Sequence, residues 1–122
     1  MREWIIIGAI FAALSVLIGA FGAHGLKEKI SIEDLAIFEV GVRYQMYHAL
    51  ALILLGLMGF SIAGENLILP GIFFCSGIII FSGSLYLLVL TNMRWLGAIT
   101  PVGGVLLILG WLSLVLKIYK DY

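Results

Sequence analysis

His24 and His48 are the two histidines of this chain, and each lies in a short polar string inside otherwise apolar sequence. The strings are Gly19-Ala20-Phe21-Gly22-Ala23-His24-Gly25 and Arg43-Tyr44-Gln45-Met46-Tyr47-His48. An imidazole exchanges protons near neutral pH, which suits acid–base work or a proton relay. Glu39 and Arg43 are four residues apart with the acid first, the favourable order for an ion pair on a helix. Arg43 and Tyr47, and likewise Tyr44 and His48, stand one helical turn apart. Tyr86 and Thr100 add two hydroxyls further along. His24, Glu39, Arg43, Gln45, His48, Tyr86 and Thr100 therefore form the candidate polar cluster. Two histidines and Glu39 are metal-ligand types, but their spacing matches no ligand motif, and no metal or cofactor is expected. There is no nucleotide-binding loop, nucleophile elbow or zincin motif. Cys75 is the single cysteine, which excludes an internal disulfide and reads as a small apolar side chain.

Each of these residues also has a plainer reading. His48 suits a satisfied interior histidine that locks helices together. Arg43 suits an interfacial anchor, or half of the pair with Glu39. His24 suits the C-terminal end of a helix, where its charge complements the dipole. Tyr44, Tyr47, Trp4, Trp95 and Trp111 suit the aromatic belt at a membrane surface.

The elements that must position these side chains follow from composition. The chain has 122 residues, 63% of them hydrophobic and 11% charged, with mean hydropathy +1.20. Soluble domains average about 45–50% apolar and about 25% charged. The sequence is therefore a single integral membrane domain, 1–122. Seven basic and seven acidic residues cancel, and nothing points to nucleic acid as a partner. About 20 apolar residues cross a bilayer as a helix. Four runs qualify: 4–23, 44–63, 67–90 and 95–116. The last two connections are so short that their helices must be antiparallel neighbours. The expected fold is all-α, a four-helix up-down bundle.

Ser31, followed by Glu33 and Asp34, reads as a helix start with Ser31 as N-cap. Helical spacing then continues through Leu35, Phe38, Val42 and Met46. One long helix over 32–63 is expected, projecting into the interface or breaking near Gly41. Pro101 falls one turn into the fourth span and fits a first-turn proline or a kink. The first span could also serve as a signal peptide, though it is longer than a typical signal core. Lys and Arg counts on the two sides nearly tie, and orientation stays open.

Lipid gives no hydrophobic drive between helices, so small residues must let them approach. Gly8, Ala12, Ser15, Gly19 and Gly22 form one stripe; Gln45, Ala49, Leu52, Gly56, Gly59 and Ala63 form another. Gly71, Cys75 and Ser82 align on the third span, and Gly97, Gly103, Gly104 and Gly110 mark the fourth. Such stripes serve contacts within one protomer or a homo-oligomer equally well. Threading four spans brings the candidate cluster, with Asn92 and Arg94, to one membrane face. His48 lies deeper than the rest and must find a partner, with Tyr86, Ser82, Ser84 and His24 as candidates.

The chain resembles the domain-of-unknown-function 423 family of small bacterial membrane proteins, related to the animal transmembrane protein 256 group. The resemblance rests on 19–26 (Gly-Ala-Phe-Gly-Ala-His-Gly-Leu), 44–50 (Tyr-Gln-Met-Tyr-His-Ala-Leu), 81–86, 100–104 and Gly110-Trp111. It implies a multi-span inner-membrane protein and carries no activity or catalytic residue with it. The leading functional expectation is a non-enzymatic scaffold or accessory subunit in the lipid bilayer. The alternative is a small transporter, channel or lipid-binding protein with its entrance near His24, Arg43 and His48. An intramembrane enzyme would need a carboxylate beside a histidine within a span, and none is there.

Overall fold

A computed structural model describes residues 2–121. The chain forms α1 (Arg2–Phe21), which runs on as a π-helical turn (Gly22–Leu26), then α2 (Ile32–Met58), α3 (Ile68–Thr91) and α4 (Thr100–Asp121). Two 3-10 turns, Gly64–Asn66 and Arg94–Ala98, precede α3 and α4. All four helical segments are long and apolar enough to span a membrane.

Ser31 caps α2 as its sequence predicts. Its backbone is extended and its hydroxyl accepts from the Asp34 N–H at 3.1 Å. The helix runs unbroken through Gly41. It stops at Met58 rather than continuing to Ala63. The amide of Gly59 turns back to carbonyls of the preceding turn, and Phe60 and Ser61 follow with tight three-residue bonds. At 27 residues and about 1.5 Å per residue, α2 still exceeds a hydrocarbon core of about 30 Å. Asn92, with φ 59°, ends α3 in the left-handed conformation that asparagine tolerates. Pro101 is the second residue of α4, where its missing N–H interrupts no bond, so the first-turn reading holds.

The helices pack pairwise in chain order: α1 on α2, α2 on α3, α3 on α4. Among the described residues no comparable packing joins α1 to α4, so α2 and α3 are the inner pair. Most of the glycine stripes are used within the protomer. A Cβ on Gly8 would stand 2.6 Å from the Ala49 carbonyl oxygen. One on Gly103 would collide with the Phe81 backbone, and one on Gly110 would come 2.6 Å from the Phe74 ring. The core divides in two along the bundle. Leu52, Leu55, Leu67, Phe74, Ile78 and Leu107 form the larger part, with Trp4 and Phe11 against it. Leu26, Phe38, Leu88, Val89 and Leu96 close the end that carries the connections after α1 and α3.

Candidate functional site

One face of α2 carries Gly41, Gln45 and His48, and polar groups from all three other helices meet it. Gln45 is 3% exposed. Its amide N–H donates to the Phe11 carbonyl of α1 at 2.8 Å, and its amide oxygen accepts from the Tyr86 hydroxyl of α3 at 2.7 Å. One side chain thus joins three helices. Ser15 of α1 donates to the Val42 carbonyl at 2.8 Å, and Ser82 of α3 donates to the Gly41 carbonyl at 2.6 Å. These carbonyls use a second lone pair, so the helix ladder of α2 survives intact.

His48 is 6% exposed. Its Nδ1 lies 2.8 Å from the Tyr44 carbonyl oxygen, and its Nε2 is 3.0 Å from Nε1 of Trp111 on α4. A carbonyl can only accept and an indole N–H can only donate. Both neighbours therefore demand the same species: neutral imidazole with its hydrogen on Nδ1. Rings surround the pair. Phe74 stands 5.6 Å from His48 and 4.8 Å from Trp111, and Tyr44 stacks on Phe81 at 4.8 Å.

The cluster expected from the sequence is therefore divided. Gln45 and Tyr86 are bonded together. His48 is buried close by, but its partner is Trp111, in place of Tyr86, Ser82, Ser84 or His24. Thr100 shares a 2.6 Å hydrogen bond with Ser84, tying the start of α4 to α3. Glu39 and Arg43 pair at 3.4 Å on the exposed side of α2, away from the seam. His24 is exposed on the π-helical turn and makes no hydrogen bond among the described residues. It sits too near the membrane end of α1 to reach a residue four turns down α2. No group of three metal-ligand side chains occurs among the described residues.

Two partners escaped the sequence reading. Trp111 looked like a belt residue, yet it lies eleven residues into α4, roughly 16 Å from Thr100 along the axis. No positional rule separates a belt tryptophan from one reaching across a bundle; only the need of His48 for a donor hinted at it. Arg94 forms a two-pronged pair with Asp34, at 2.9 and 2.7 Å, and donates to Asn92 at 2.8 Å. The topology puts Arg94 at the end where α2 begins, and Asp34 stands in the first turn of α2, so the two meet there.

An apolar groove of about 490 Å³ lies on α3 and the turn before α4, lined by Ile79, Ile80, Gly83, Leu87, Leu96 and Ile99 among others. Gly83 forms part of it, with open space where a side chain would stand. Ser84 and Tyr86, the latter a member of the candidate cluster, also line this groove, whereas His24, Arg43 and His48 do not.

Four apolar helices cross-linked by buried hydrogen bonds define a small multi-span membrane protein. The family model described as a protein of unknown function, DUF423, matches residues 18–104, and the chain belongs to that family. It is 48% identical over 120 residues to the UPF0382 membrane protein SAB0533 of Staphylococcus aureus, covering 98% of each chain. It is 45% identical over 121 residues to the UPF0382 membrane protein YwdK of Bacillus subtilis, again covering 98% of each. The chain is thus a bacterial membrane protein with four candidate spans. No solved structure matches it.

Proposed function

We propose that this protein is a non-enzymatic membrane scaffold or accessory subunit that assembles through the outer face of α3. The observation that carries the reading is the closed seam. Every buried polar side-chain atom among the described residues has a hydrogen-bond partner, and the bonds run between helices rather than toward a cavity. Groups spent on holding helices together are poorly placed to bind cargo or move protons. The assembly surface follows from Gly83. Glycine costs about 1 kcal/mol relative to alanine within a helix, and this one is not required by any contact inside the protomer. Exposed Ile72, Ile79, Leu87 and Leu90 stand on the same side of α3, and a small residue among larger ones suits a second helix. A second copy of the chain is the occupant this reading favours. A lipid tail is the competing one, since the groove's almost wholly apolar lining would accept either.

Gly83→Leu separates the two, because it fills the groove from a position where an added Cβ meets open space. Native mass spectrometry from the membrane is expected to show the wild type as an oligomer and the variant as a monomer of unchanged thermal stability. A monomeric wild type carrying a phospholipid that the variant loses would replace the scaffold reading by lipid binding. A proteoliposome flux abolished by a fully folded His48→Gln variant would overturn both.

A further inference from the structure

Beyond holding α2 to α4, the bonded pair of His48 and Trp111 has a chemical asymmetry. The Nε2 lone pair of His48 is the acceptor for an indole N–H that can only donate. A proton placed on Nε2 would set two donors against each other at hydrogen-bond distance. The other ring nitrogen offers no escape, since Nδ1 already carries its hydrogen toward the Tyr44 carbonyl. Imidazole is also the one interior group here whose ordinary titration falls between pH 5 and 8.

We propose that His48 and Trp111 form an acid-released latch between α2 and α4, in which protonation of Nε2 expels the indole. The main backbone packing of α4 is on α3 rather than on α2. Among the described residues this bond is the side-chain hydrogen bond that joins α2 to α4, beside the apolar contact of Leu107 with the core. Trp111 is 43% exposed against 6% for His48, which makes the indole the outer member and a lid on the imidazole. Release leaves α4 seated on α3, because Gly103 on Phe81, Gly77 on Leu107 and Gly110 on Phe74 do not depend on the bond.

The charge that arrives on His48 has nothing to neutralise it. On its own helix the nearest titratable groups are Tyr44, stacked at 6.3 Å, and Tyr47 beyond it. Glu39 and Arg43 are exposed and paired with each other. From α3 the packed ring is Phe74, with the Cys75 thiol beside it in sequence and the Tyr86 hydroxyl engaged by Gln45. Residues 4–21 of α1, all of α3 and residues 100–116 of α4 contain no Asp, Glu, Lys or Arg. The imidazolium must therefore turn to water, and the departing lid opens the side from which water reaches it. The proton comes from hydronium in the acidified aqueous phase, which leaves as water; Nδ1–H stays on the Tyr44 carbonyl, and the site gains one positive charge.

The test uses the full chain in phospholipid nanodiscs, with nitrogen NMR of the imidazole and indole groups from roughly pH 7.5 to roughly pH 4, well below the ordinary histidine range. Near neutrality His48 is expected as the Nδ1–H tautomer with a bonded Trp111 N–H. On acidification both imidazole nitrogens become protonated, and the Trp111 signal loses its bonded shift with the same midpoint, reversibly. His48→Gln supplies an acceptor oxygen that does not titrate, so Trp111 should stay bonded at every pH. Three results would each overturn the latch: His48 neutral throughout, an imidazolium formed while the indole bond persists, or the same Trp111 shift in His48→Gln. If that variant fails to fold, the wild-type titration still decides, with His24→Gln as the histidine change expected to leave it unaltered.

Discussion

A buried amide in a bilayer must have both its ends satisfied, and Gln45 shows what that requirement can build. Its donor side is met by a carbonyl of α1 and its acceptor side by a phenol of α3. Gln45→Leu keeps the volume and removes both bonds, leaving the Tyr86 hydroxyl without its acceptor. An unsatisfied buried partner costs about 1–3 kcal/mol, and thermal unfolding in detergent is expected to register a loss of that size. Trp111→Phe is milder. It keeps the ring against Phe74 and leaves only Nε2 of His48 without a donor. Interhelical hydrogen bonds in membranes average about 0.6 kcal/mol and reach about 1.7, so Trp111→Phe should cost less than Gln45→Leu. Equal losses would show that packing of the indole, rather than its bond, holds α4 to α2.

At the scale of helices, glycine decides how near two backbones come. Gly103, in the first turn of α4, and Gly83, in the interior of α3, both lie within helices, yet a Cβ on the first meets the Phe81 backbone while one on the second meets nothing. Gly103→Ala is expected to destabilise the α3–α4 pair by about 1–3 kcal/mol, the usual cost of forcing volume into a packed contact. Gly83→Ala is expected to be neutral or slightly stabilising in the monomer, and paired unfolding curves check both. These same residues mark what the sequence could convey. Four spans and the Ser31 cap were legible because charge and capping chemistry are local, while for Pro101 the sequence left a first-turn proline and a kink open. The stripes announced close packing, but a stripe does not say which helix faces it. Gly8 and Gly83 look alike in sequence and differ only once α2 is laid across α1. The site was legible to the same degree. Gln45 and Tyr86 converge because the topology forces their segments to one end. The His48–Trp111 bond depends on rotation of α4 about its axis, which a nearly uniform apolar helix does not encode.

Across the whole molecule, the two ends of the bundle are held by different means. Toward the Gly64–Asn66 connection, Leu52, Leu55, Leu67 and Phe74 fill the interior. At the opposite end α1 has already become a π-helical turn, α3 has ended at Asn92, and α4 has not begun. Few helical bonds remain there to fix the chain, and the Arg94–Asp34 pair spans the gap from the first turn of α2 to the 3-10 turn before α4. Its bidentate geometry adds orientation as well as attraction. Both partners stay in contact with solvent, so the clamp contributes local order more than global stability. Arg94→Gln should therefore raise amide hydrogen exchange in the Arg94–Ala98 turn and the first turn of α2, at least severalfold. Exchange near Phe74 and Leu107 should stay as in the wild type, because local openings at an end need not pass through the core. Exchange that rose equally along all four helices would mean that this clamp is a keystone of the entire bundle, and that the membrane-buried seam is the weaker of its two supports.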